Sequence, residues 1–265
     1  MAGPETTTPG GGDLEAEAWI RGVLGLADLD LRLAWLRTRL AETDERDTAR
    51  ALDSWAARCY AADLRAREAL LPMAIVLAAQ RHEPRLLALR AVAETAALLH
   101  LGRLVREGPD DAPSSESEQR VPTYRKGREL TLGERRSLAR RPSRLELEKL
   151  LLDPDPLVLR RVFGCTRLTE DDVVRVISQR PARQVTLATL LDCPRWLARR
   201  RVRLALALNP GCPHGIALPL LSTLPRDDLD LVVSSPGLSA PLRAVALEIV
   251  ERMPPLGSTD DFVWQ

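Results

Sequence analysis

Aromatic residues are scarce, at 3% of the 265 positions, and lysine is nearly missing: Lys126 and Lys149 are the only two among 38 basic side chains. So few aromatics in a chain dominated by leucine and alanine argue against a sheet and for helices throughout. The four cysteines, Cys59, Cys165, Cys193 and Cys212, never stand in C-x-x-C spacing. A chain of this length needs no disulfide staples, so the usage fits a reduced, cytoplasmic protein. The longest apolar run, Ala69 to Ala79, is about half a membrane span and contains Pro72. It reads as a buried helix segment, and no membrane partner is expected. Met1 to Gly12 has neither a basic start nor an apolar stretch, so it is expected to be a tail and not a signal peptide.

An excess of either charge is also missing. The net charge is +1, which points neither to nucleic acid nor to acidic partners in bulk. The strong preference for arginine over lysine has two readings, a GC-rich coding bias or selection for bidentate carboxylate and phosphate contacts. There is no Walker loop and no G-x-G-x-x-G, and the glycines at 10–12 follow no strand. His82, His100 and His214 stand far apart, so no metal and no cofactor is expected. His100 reads as a satisfied core residue on an apolar helix. Cys193 and Cys212 flank a basic helix, which would lower a thiol pKa, against the plainer reading of small buried residues. The acidic runs at Glu170-Asp171-Asp172 and Asp227-Asp228 fall at expected helix starts, where carboxylates meet the helix dipole.

The rest of the chain divides by composition. Residues 1–12 are expected to be a disordered tail and 13–107 a bundle of four or five long helices. Asp13 would cap the first of these, Gly22 and Gly25 would weaken it, and another would run from Glu45 to Leu71. The helix from Pro84 to Glu107, apolar on most faces, would sit at the centre. Residues 108–128 are polar and proline-rich and read as a linker. Beyond them Arg125, Lys126, Arg128, Arg135, Arg136, Arg140, Arg141 and Arg144 crowd together, and prolines punctuate short helices. Thr131 with Glu134, Ser143 with Glu146 and Thr169 with Asp172 have capping-box spacing. Residues 129–253 are expected to form one unit, followed by a tail at 254–265.

Inside that unit, Leu151-Leu152-Asp153-Pro154, Leu191-Asp192-Cys193-Pro194 and Val233-Ser234-Ser235-Pro236 recur at spacings of 40 and 42. Each is followed by a short arginine-bearing helix. A helical period near 40 suggests a stack of repeats. The pattern L-L-x-D-P-D-P-x-V with LTEDDVVRVI and a following Arg-Pro resembles bacterial HEAT-like and variant leucine-rich repeat proteins, over roughly residues 130–250. The resemblance implies an α-solenoid that presents a surface to a partner protein. It implies no iron–sulfur site, because the clustered cysteines that some such proteins carry are not here.

The expected fold is therefore all-α, a helical N-terminal bundle followed by a short HEAT- or armadillo-like α-solenoid. The expected function is a non-enzymatic scaffold or adaptor for protein–protein interaction. The candidate partner-binding residues are Arg195, Arg199 and Arg203, which would form one helical stripe at i, i+4, i+8, with Arg200 beside it. Phe262 and Trp264 of the acidic-aromatic end are the others, as a linear docking peptide. The partner would carry an acidic surface. The alternative is a HEAT-like nucleic-acid binder, including a repair glycosylase, for which Asp192, Trp196 and Arg199 are residues of the right kind.

Overall fold

A computed structural model describes residues 11–61, 63–106, 121–124 and 129–252. Among these every regular element is an α-helix. Six come first: α1 (Gly11–Leu24), α2 (Leu29–Glu42), α3 (Glu45–Tyr60), α4 (Leu64–Ala79), α5 (Pro84–Thr95) and α6 (Leu99–Leu104). Ten follow, mostly of eight residues or fewer: α7 (Leu132–Leu138), α8 (Arg144–Leu150), α9 (Pro156–Phe163), α10 (Glu170–Ile177), α11 (Gln184–Leu191), α12 (Pro194–Leu197), α13 (Arg200–Ala207), α14 (His214–Leu221), α15 (Arg226–Val233) and α16 (Ala240–Arg252).

Capping residues set several of these boundaries. Asp28, Asp44 and Asp63 each accept backbone amides at the start of α2, α3 and α4. All three expected capping boxes are present, at Thr131–Glu134, Ser143–Glu146 and Thr169–Asp172. Asp63 is why the helix expected over 45–71 is two: its carboxylate takes the amides of Arg65 and Ala66, and the chain turns there. Pro72 does not end α4, which continues to Ala79. The helix expected to run from Pro84 breaks at Ala96–Leu98, where Ala97 has φ 52°. Asp53 then caps α6 by accepting the amides of His100 and Leu101 at 2.8 and 2.9 Å. Asp13 lies inside α1, which begins at Gly11, and its carboxylate accepts the Ser54 hydroxyl at 2.6 Å. Gly22 stands in α1 for a reason of packing: a Cβ there would lie 2.3 Å from the Trp35 ring.

The central helices are not the one expected. The α5 helix buries only Leu86, Leu89 and Ala93. The segments buried nearly all round are α4, from Leu70 onward apart from Leu71 and Ala79, and the whole of α14. These two pack against each other, and α11 also meets α4. One continuous apolar cluster runs from Ala16 to Val250 through them. Polar contacts bind the same halves: Tyr60 Oη lies 3.4 Å from Ser222 Oγ, Arg103 pairs with Glu248, and Arg252 lies over the Tyr60 ring.

From α7 onward neighbours in sequence pack together, as α13 with α14 and α15 with α16 do, and a second set of contacts skips one helix. With α12 and α13 counted as one broken helix, each helix bonds to the one two places on. The α7–α9, α9–α11 and α14–α16 pairs pack directly, and Gln184 of α11 donates to Gly211 O just before α14. The intervening helices are stitched by side chains: Arg144 of α8 to Asp172 of α10, Arg201 of α13 to Asp171 of α10, and Arg200 of α13 to Asp228 of α15. The partners in these bonds stand 28 or 30 residues apart.

The sequence spacing of 40 joins turns whose partners differ. Asp153 and Asp192 look alike in sequence but close helices from the two alternating sets, α8 and α11. Asp153 shares its local geometry with Asn209. They follow α8 and α13 respectively, each precedes a proline, and each accepts the amide two residues on, of Asp155 and Gly211, at 3.0 Å. Asp192 instead is exposed and pairs with Arg160.

Candidate interaction surface

The expected arginine stripe does not lie on one helix. The chain stops at Leu197 and starts again at Arg200, with Ala198 as C-cap and Arg199 as N-cap. Arg195 belongs to α12, Arg203 to α13, and Arg199 sits on the break.

Their side chains also have different tasks. Arg195 donates to the carbonyls of Phe163 and Cys165 at the end of α9 and lies 4.7 Å over the Trp196 ring. Arg203 is buried and donates to Leu197 O and Ala198 O at 2.8 and 2.9 Å, closing the end of α12. The last carbonyls of any helix lack intrahelical donors, and a guanidinium fork suits that role. Arg200 grips the Asp228 carboxylate with two bonds, of 2.7 and 2.8 Å. Arg199 alone of the four is exposed with no side-chain partner among the described residues. Phe262 and Trp264 lie outside the described residues, as do the tail at 254–265, residues 1–10, and all of the expected linker except 121–124.

The other features of the sequence resolve in the same way. Trp196 is buried, with Nε1 donating to Phe163 O at 2.9 Å. With Asp192 holding Arg160, the trio suggested for base excision does not form one open site. Burial raises the thiol pKa of Cys193 and pushes Cys59 up to about 12, the opposite of an activated nucleophile. His100 is half-buried against Tyr60, ring centroids 5.4 Å apart, and burial lowers its pKa. His214 Nε2 meets Ser239 Oγ at 2.6 Å, but Nδ1 has no acceptor to orient the ring, and Ser239 Oγ also accepts Leu242 N at the start of α16. No group of three His, Cys, Asp or Glu side chains suited to a metal occurs among the described residues. No described helix is long and apolar enough to cross a membrane.

Two arginine-rich surfaces remain. The first is a ridge along α8, α10, α13 and α15, where Arg144, Arg200 and Arg201 each have a carboxylate. Asp172 is the pattern: it closes the Thr169 capping box and takes Arg144 through both oxygens. The Arg144 guanidinium and the Thr169 donors hold its carboxyl far below the usual 3.8.

The second is a cleft of about 500 Å³ between α7 and α9, lined by Arg136, Ala139, Arg140, Leu157, Arg160, Arg161, Gly164 and Cys165. Arg160 reaches Asp192 at 2.5 Å. Arg136, Arg140 and Arg161 are exposed and have no partner among the described residues, and no carboxylate lines the cleft. Arg136 and Arg140 belong to the basic stretch seen in the sequence, and Arg161 lies beyond it. The arginine density after residue 125 was visible, but nothing in the spacing says that α7 and α9 adjoin.

The chain matches no family model, no curated protein and no solved structure.

Proposed function

We propose that the protein is a non-enzymatic interaction module, a scaffold or adaptor that holds a protein partner with an acidic surface. A helical bundle over 13–107 would serve as its base and a short HEAT- or armadillo-like α-solenoid over 129–253 as its recognition arm. The observation that carries this reading is the bonding of each helix to the one two places on. Helices of about two turns cannot bury their own apolar faces, and stacking them gives a rigid extended surface. The arginines that this stacking leaves unpaired supply the charge. Arg199, Phe262 and Trp264 stay in the reading as candidate contacts. Arg195, Arg200 and Arg203 contribute to it through structure.

Nucleic-acid binding is the second reading, because free guanidinium groups suit phosphates as well as carboxylates. The two separate in a paired experiment: capture of protein partners from native extract with crosslinking, and duplex DNA binding titrated with salt. The account expects a specific protein partner and only weak DNA binding. Tight DNA binding that falls steeply with salt, with no protein captured, would replace it.

A further inference from the structure

The geometry points to the α7–α9 cleft as the docking site for an acidic, aliphatic-bearing peptide segment of a protein partner. The inference rests on the interaction-module reading and gives it a location.

Three features fix the chemistry. Arg136 and Arg140 stand one turn apart on the α7 side, and Arg161 faces them from α9. Removing them from water without an anion would be costly, so an occupant must bring carboxylates or phosphates. Secondly, the floor is apolar: Leu157, 40% exposed, beside the buried Ala139 and Cys165. A segment that alternates acidic and aliphatic side chains satisfies both parts at once. Thirdly, the cleft ends at Gly164, the C-cap of α9. A helix C-terminus carries negative partial charge and offers carbonyls, not amides. Any anion, carboxylate or phosphate, favours the opposite end, so an occupant's negative groups must sit at the three guanidinium groups and away from Gly164. The carbonyls at Phe163 and Cys165 are already held by Arg195. The cleft lining holds no aromatic side chain on which a base could stack. Carboxylates spread along an extended chain, each met by a separate guanidinium from the side, fit this arrangement better than a phosphate or a nucleic acid.

The test uses the full chain and a short fluorescein-labelled peptide that alternates Glu and Leu, with a Gln-for-Glu version as control. Fluorescence anisotropy should show binding of the Glu peptide, weakened by salt, and none of the Gln peptide. The triple variant Arg136→Glu, Arg140→Glu, Arg161→Glu should weaken binding on the order of tenfold or more. Arg37→Glu, Arg46→Glu, Arg106→Glu makes the same change in net charge on the other half and should bind like wild type. If the cleft triple does not fold, the corresponding Gln triple serves in its place. Equal loss in the two triples would overturn the cleft, as would wild-type binding by the cleft triple. Displacement of the peptide by millimolar inorganic phosphate would make it a small-anion site, and tighter binding of single-stranded DNA would make it a nucleic-acid site; either result overturns the proposal. Failure of the cleft with a protein partner still captured leaves the interaction-module reading standing. Failure to capture any protein removes that reading, whatever the peptide does.

Discussion

The ridge along α8, α10, α13 and α15 and the cleft between α7 and α9 are built from the same residue type, and they differ in what the arginines meet. On the ridge, Arg144, Arg200 and Arg201 each meet an aspartate from a neighbouring helix. In the cleft, Arg136, Arg140 and Arg161 meet none among the described residues. A third group sits at helix ends, where the buried Arg203 and the half-buried Arg183 donate to main-chain carbonyls. The lesson is one of supply and demand. A fold of many short helices exposes many unsatisfied carbonyls and helix starts. Arginine is suited to bridge them, so most of its abundance is structural. Only the arginines left over are available to a ligand.

The sharpest way to break this comparison is at the packing that sets both surfaces. Leu206 is fully buried on α13. Leu206→Asp should cost about 5 kcal/mol and lower the melting midpoint of the whole protein, measured by calorimetry. An unchanged melt would mean that the helices do not stack as described.

The buried polar centre comes next. Asp153 is wholly buried, accepts the Tyr124 hydroxyl at 2.7 Å and lies 2.9 Å from Arg135 Nε. Asp153→Ala leaves the Arg135 charge buried and unpaired, a loss of about 3 kcal/mol. Urea denaturation should show it as a lower midpoint.

The ridge gives a pH dependence of definite sign. Asp172 has a folded-state pKa below its usual 3.8. Its contribution is fully present above that value and is lost as pH falls below it, because the unfolded chain binds the proton more readily. Asp172→Asn should therefore flatten the fall in stability below about pH 4 and lower stability at pH 7. Parallel acid limbs for variant and wild type would show that the pair does not act in the folded state.

Smaller still is the effect of Arg200→Ala. The guanidinium is exposed and screened, so the melt should fall by less than for Asp153→Ala. An equal fall would erase the distinction between ridge and buried centre.

How much of this was legible in the sequence follows from the range of each interaction. The all-helical class and the three capping boxes depend on residues a few positions apart, and they could be read. The α3–α4 break was less visible, because Asp63 acts there as a cap inside an unbroken apolar pattern. Asp153-Pro154 and the Asp192-Cys193-Pro194 turn share letters but not partners. Only the donors to each carboxylate, Tyr124 and Arg135 for Asp153 and Arg160 for Asp192, separate them. The arginine stripe failed for a related reason: i, i+4, i+8 spacing means one face only while the helix is continuous, and it stops at Ala198. The cleft required knowing that α7 and α9 are neighbours, which depends on the stacking itself.

The most direct test places a photo-crosslinking amino acid at Leu157 on the cleft floor, and in a second protein at Leu231, an exposed position on α15. After irradiation in native extract, the account predicts one protein adduct from position 157, lost in the Arg136→Glu, Arg140→Glu, Arg161→Glu background, and none of that species from position 231. The same adduct from both positions, or its survival in the triple variant, would contradict the claim that the unpaired arginines mark the recognition surface.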